Sequence, residues 1–131
     1  ILDLVKAHKL ESQVVMPGRV PHSEVKRYIA AMDYGILPDS NQYGSPMKLF
    51  EMMAMGVALV SPSFEPIAEV VADDENGWLF EPNDKRGAVR TVIALSKSSE
   101  NINKVGKQAE TYIREQRQWI HNIEKLLSLL N

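Results

Sequence analysis

The chain has 131 residues, of which 44% are hydrophobic, with fifteen basic against seventeen acidic side chains and a formal net charge of -2. That is enough for one globular α/β-sized domain with a real core, and it excludes the global basic field expected of a nucleic-acid binder. Cysteine is absent and the three histidines, His8, His22 and His121, are far apart, which excludes disulfides, thiolate chemistry and paired metal-ligand spacing, so no metal is expected.

Ile1 to Leu10 reads as the interior of a helix with no initiator methionine and no cap, so the chain is expected to be an excised piece of a larger protein. No apolar run reaches the length of a membrane span and the start lacks a signal-peptide pattern, which points to a cytoplasmic protein. Gln13-Val14-Val15-Met16, bounded by Pro17-Gly18, predicts a short buried strand. After Arg19-Val20, Pro21 and Ser23 prepare a helix whose apolar set is Val25, Tyr28, Ile29 and Met32. Tyr34 to Leu37 predicts a second strand, and Pro38 to Gln42 is a loop by composition.

The most informative stretch runs from Tyr43 to Gly56. Pro46 suits the first position of a helix and Gly56 the residue just past its end. Met47, Phe50 and Ala54 predict its buried stripe, with Leu49 and Met53 at the margin, while Lys48 and Glu51 project away. A helix start leaves backbone N–H groups unpaired and the positive end of the dipole facing forward, so a phosphate fits there. Gly44 allows close backbone approach, Ser45 adds a hydroxyl, Met47 and Lys48 offer free N–H groups, and the Lys48 ammonium adds charge. Glu51, one turn on, is placed to accept from a pair of sugar hydroxyls. A plain i,i+3 surface pair of Lys48 with Glu51 beside a glycine turn accounts for the same residues.

Val57 to Val60 is a nearly continuous apolar strand, ended by Pro62-Ser63. Glu65-Pro66 starts a helix through Ile67, Glu69, Val70 and Val71. Asp73 to Gly77 is a turn, and Trp78-Leu79-Phe80 a strand. From Lys85 onward the pattern is helical in three segments: Val89, Val92, Ile93 and Leu95; then Ile102, Val105, Ala109, Tyr112 and Ile113; then Trp119, Ile123, Leu126, Leu127 and Leu130. Strands alternating with helices define an α/β class with a doubly wound, Rossmann-like parallel sheet, helices on both faces and ligands at the carboxyl ends of the strands. The Gly18 to Val20 turn, the Asp39 to Ser45 loop and the Pro62 to Pro66 turn then share one edge.

From Val14 to about Leu95 the chain resembles the C-terminal, donor-binding domain of the retaining nucleotide-sugar glycosyltransferases of family four, which have the two-domain GT-B fold. The marks come in the family's order: a strand before Gly18-Arg19-Val20, a helix ending in Ala31-Met32-Asp33, Leu37-Pro38, Tyr43 to Gly56, Val60-Ser61, Glu69-Val70-Val71, Asn76-Gly77 and Phe80-Glu81-Pro82. The family signature is a glutamate, seven residues and a second glutamate. Glu51 supplies the second, while Tyr43 stands where the first is usual. That departure, with Ser45-Pro46-Met47-Lys48-Leu49-Phe50-Glu51 following, is similar to a subgroup of the family.

The resemblance implies roles. Glu51 is to bind the ribose hydroxyls of the donor, the stretch Gly44, Ser45, Pro46, Met47 and Lys48 its diphosphate, and Gly18, Arg19 and Val20 its base. Tyr43 and Glu69 are to lie near the sugar. The implied reaction is sugar transfer from a nucleoside-diphosphate sugar to an acceptor with retention, without metal or other cofactor. It also implies a partner N-terminal acceptor domain beyond this chain, with the helices of residues 100–131 packing either within this domain or back onto that one. The full-length enzyme is expected to lie peripheral to a membrane, and the fragment to dimerise through apolar surface and not to turn over alone. The alternatives are a non-catalytic nucleotide-binding or interaction module of the same fold, and a nucleotide-sugar epimerase.

Other marks favour structural roles. His22 beside Pro21 is a surface residue at a helix start, Glu65 is favourable to a helix dipole, and Asp73-Asp74-Glu75 is a solvated turn without calcium-ligand spacing.

Overall fold

The central strand of the sheet is buried at every position, as a strand covered from both sides must be. In the computed structural model, which describes residues 1–44 and 46–129, this is β2 (Leu59–Pro62), flanked by β1 (Gly35–Ile36) and β3 (Trp78–Phe80). The three strands are parallel in the order β1-β2-β3, with Gly35 opposite Leu59 and Val60 opposite Trp78. Around them lie α1 (Leu2–Ala7), α2 (His22–Ile29), α3 (Met47–Ala54), α4 (Glu65–Ala68), α5 (Lys85–Leu95), α6 (Ser99–Gln116) and α7 (Trp119–Ser128).

Successive strand residues point to opposite faces, and the two faces meet different helices. Ile36, Pro62 and Phe80 share a hollow with Ala88, Val89 and Val92 of α5. Their neighbour Gly35 faces α3, where an added Cβ would stand 2.7 Å from the Met52 sulfur. The sheet therefore has helices on both faces, as expected. Leu49, Met53, Val60, Ile67, Val105 and Ala109 are fully buried and join α3, β2, α4 and α6 in one core. Edge to face, the rings of Tyr34 and Trp78 meet at 6.4 Å beside it.

Three expectations need correction. Residues 13–16 form no strand: Val15 is 85% exposed and Met16 45%. A strand has no hydrogen bonds of its own, and among the described residues this segment does not pair with β1, whose outer edge stays open. The buried stripe of α3 is also rotated. Leu49 and Met53 are at 0% exposure, whereas Met47 is 71% exposed and Ala54 faces solvent, because the core shared with β2 and α6 takes the i,i+4 pair of larger side chains rather than the alanine. Finally, several helices are shorter than their periodicity: α1 ends at Ala7 and α4 at Ala68. The last segment of the sequence pattern forms α7, with Trp119, Ile120 and Leu126 exposed. Leu130, counted in that segment, lies outside the described residues.

Candidate functional site

The site is built where β1 leaves the sheet. Leu37 still bonds to the strand through its N–H to the Val60 carbonyl at 2.9 Å. Beyond it, short polar side chains fold the loop on itself. Asp39 Oδ1 accepts from the Ser40 N–H at 2.8 Å, and Asn41 Oδ1 accepts from the Tyr43 N–H at 3.0 Å. A Cβ on Gly44 would lie 2.7 Å from Asn41 Oδ1, so a larger residue here would push the Asn41 side chain aside. Tyr43 projects outward at 91% exposure.

The chain then enters α3. Pro46 is the N-cap, with extended backbone at φ -71°, ψ 122°, one residue earlier in the helix than the sequence predicts. The first helical bond runs from the Leu49 N–H to the Pro46 carbonyl at 2.9 Å. Among the described residues no side chain caps this end, and no acidic residue stands in its first turn. Among the described residues the N–H groups of Met47 and Lys48 thus have no acceptor. The helix presents two free donors and its positive dipole end to a cleft of about 560 Å³. Leu37, Asp39 and Asn41 form one wall of that cleft, and Pro46, Met47 and Lys48 the other.

Lys48 and Glu51 are both exposed, and neither joins an ion pair among the described residues. The ordinary surface pair is therefore not made: Lys48 lines the cleft, and the Glu51 carboxylate stands free one turn further along α3, outside the cleft lining. An anion at this helix start meets backbone donors, dipole and ammonium together. Ser45, expected to add a hydroxyl, lies outside the described residues.

The other expected residues are placed apart from this wall. Gly18 has φ +71°, so its turn does require glycine, but Gly18, Arg19 and Val20 do not line the cleft. Glu69 is exposed and caps the C-terminal end of α4. Asp39 and Asn41 were not singled out by sequence. Their signal was present, as an Asx side chain bonding the N–H one or two residues on. Among the described residues no three His, Cys, Asp or Glu side chains converge as a metal site would require, and no helix is long and apolar enough to cross a membrane.

A parallel sheet with helices on both faces and an uncapped helix start at the carboxyl end of an outer strand defines a Rossmann-like domain with a candidate anion site. Residues 1–112 match the family model described as glycosyl transferases group 1, and the chain belongs to that family. It is 37% identical over 98 residues to WcaL of Escherichia coli K12, named as a colanic acid biosynthesis glycosyltransferase; the match covers 71% of this chain and 24% of that protein. The chain thus spans about a quarter of the length of that relative. Among solved structures it is similar to the C-terminal domain of LpcC, a glycosyl transferase group 1 family protein from Francisella tularensis. The TM-score is 0.79 at 22% identity, covering 90% of this chain and 60% of the other. It is also similar to HepE of Anabaena, solved with UDP, with a TM-score of 0.83 at 15% identity over 98% of this chain and 35% of that one. HepE has been solved with UDP-glucose as well. The fold is that of the C-terminal half of a GT-B glycosyltransferase.

Proposed function

We propose that residues 1–131 form the donor-binding domain of a longer glycosyltransferase that moves a sugar from a nucleoside-diphosphate sugar to an acceptor with retention. The observation that carries this is the start of α3: free N–H groups on Met47 and Lys48 and an unpaired Lys48 ammonium at one cleft, with an unpaired Glu51 carboxylate one turn further along the helix. In the proposed complex the diphosphate sits at the helix start, with Gly44 and Pro46 shaping the approach. Glu51 accepts hydrogen bonds from the ribose hydroxyls. Gly18, Arg19 and Val20 take the base, and Tyr43 and Glu69 lie on the sugar side.

The chemistry follows from charge. As the bond from anomeric carbon to diphosphate oxygen breaks, negative charge grows on the leaving group and the sugar gains oxocarbenium character. The α3 dipole, its two N–H groups and Lys48 stabilise the first. Contacts to the acceptor belong to the proposed N-terminal domain. The UDP and UDP-glucose complexes of HepE support a donor of this class.

Ligand-observed NMR with UDP, GDP and ADP on the wild-type chain and on Glu51→Ala tests the reading. Binding of one diphosphate that is lost in Glu51→Ala supports it and names the base. A folded chain that binds none of the three overturns it.

A further inference from the structure

We infer that the outer edge of β1 takes a further parallel strand from the part of the protein before residue 1, and that the helix following that strand lies in the hollow between β1 and α5. The inference rests on the reading of residues 1–131 as part of a longer glycosyltransferase. Its first support is a set of unmet bonds. Gly35 and Leu37 turn their N–H groups inward, to the Ala58 and Val60 carbonyls at 2.9 Å. Backbone groups alternate in direction along a strand, so Ile36 between them turns its N–H and carbonyl to the outer edge. Among the described residues no strand pairs there, and a parallel sheet leaves such groups dry only when a neighbour takes them.

The second support is the apolar surface beside that edge. Ile36 is 50% exposed, Val89 56% and Ile93 53%. With Val92 they line one hollow of about 560 Å³ on the α5 face of the sheet, a contiguous patch that water does not favour. Handedness then selects what fills it. α3 carries the chain from β1 to β2 across the opposite face, that of Gly35. A right-handed crossover that steps the other way, outward from β1, places its helix on the Ile36 face. An inward step would put the helix on the α3 face and leave Ile36, Val89 and Ile93 in water. Domains of this fold have chain enough for both elements: 90% of this chain covers only 60% of the LpcC domain. Strand order then reverses at β1, and the crevice at the carboxyl end of β1, where Leu37 and Asp39 wall the cleft, becomes the switch point at which open α/β sheets bind ligands. The loop after the added strand supplies the missing side of that cleft.

Hydrogen exchange read residue by residue on the full-length protein tests this. The Ile36 N–H is expected to exchange as slowly as those of Gly35 and Leu37, about 100-fold slower than an unbonded amide. Thiol labelling of the same protein tests the hollow: Val89→Cys and Ile93→Cys are expected to react at least about tenfold slower than Cys at the exposed position of Lys97 in Lys97→Cys. An Ile36 amide that exchanges freely, or Val89→Cys and Ile93→Cys labelling as fast as Lys97→Cys, overturns the inference. Protection of Ile36 that appears only as protein concentration rises assigns the edge to a second copy and overturns it as well. Nucleotide binding separates the two readings. A full-length protein that binds UDP, GDP or ADP with Ile36 unprotected overturns this inference alone, and one with Ile36 protected that binds none of the three overturns the donor-site reading alone.

Discussion

A Cβ on Gly106 of α6 would overlap the carbonyl oxygen of Gly56, the residue that ends α3 with φ +74°. The two glycines let α6 lie directly on the turn after α3. The obstacle is backbone rather than a flexible side chain, so a larger residue must move one element off the other. Gly106→Ala is expected to destabilise the chain by about 2 kcal/mol, an overpacking cost of about 3 offset by about 1 of helix propensity. Urea unfolding reads this as a lower midpoint at constant slope. An unchanged midpoint would show that α6 slides freely on α3.

Asn76 is the buried amide of the turn before β3, at 6% exposure. Its Oδ1 accepts from the Ala72 N–H at 2.8 Å and its Nδ2 donates to the Val70 carbonyl at 3.1 Å. Removing it leaves two backbone groups short of partners, so Asn76→Ala is expected to cost about 2 kcal/mol in thermal or urea unfolding. Asn76→Asp keeps the first bond and loses the second, and a stability between wild type and Asn76→Ala is the expected result.

How much of this was legible in the sequence depended on whether the deciding partner was local. The strands at Gly35 and Trp78, the helix between Pro46 and Gly56 and the alternation of types follow from punctuation and periodicity, which are local signals. Burial within α3 was not legible. Met47, Leu49, Phe50, Met53 and Ala54 are all apolar, and only the elements packed on α3, β2 and α6, decide that Leu49 and Met53 go under. Residues 13–16 are a second case, since apolar character alone does not bring a segment onto the open edge of β1. Of the candidate site, the uncapped helix start with Lys48 and Glu51 could be read ahead. The bond from Arg117 Nη2 to the Glu69 carbonyl, at 2.7 Å, could not, because nothing in either residue's neighbourhood points across the intervening chain.

Ser61 presents an unpaired polar atom in the core. It sits in β2 at 0% exposure, and its Oγ has no partner among the described residues. Such a hydroxyl loses its hydration without compensation. Ser61→Ala is therefore expected to raise stability by about 1 kcal/mol. A lower unfolding midpoint in this variant would show that the hydroxyl is bonded in solution.

Lys48 and Leu49 are adjacent in sequence and opposite in role, and a pair of substitutions separates binding from folding. Leu49 is fully buried in the core, so Leu49→Ala is expected to cost about 3 kcal/mol of stability. The exposed Lys48 has no ion pair among the described residues, so Lys48→Ala is expected to leave the unfolding midpoint within about 0.5 kcal/mol of wild type. On the donor-site reading it weakens nucleoside-diphosphate binding about tenfold at low salt, the scale of one charge-assisted contact. Binding is not abolished, because the N–H groups of Met47 and Lys48 belong to the backbone and survive the substitution. The gap between wild type and variant is expected to narrow at 0.5 M salt, where the ammonium's field is screened and the backbone donors are not. Titrations at two ionic strengths decide it, and equal affinities at low salt would remove Lys48 from the site.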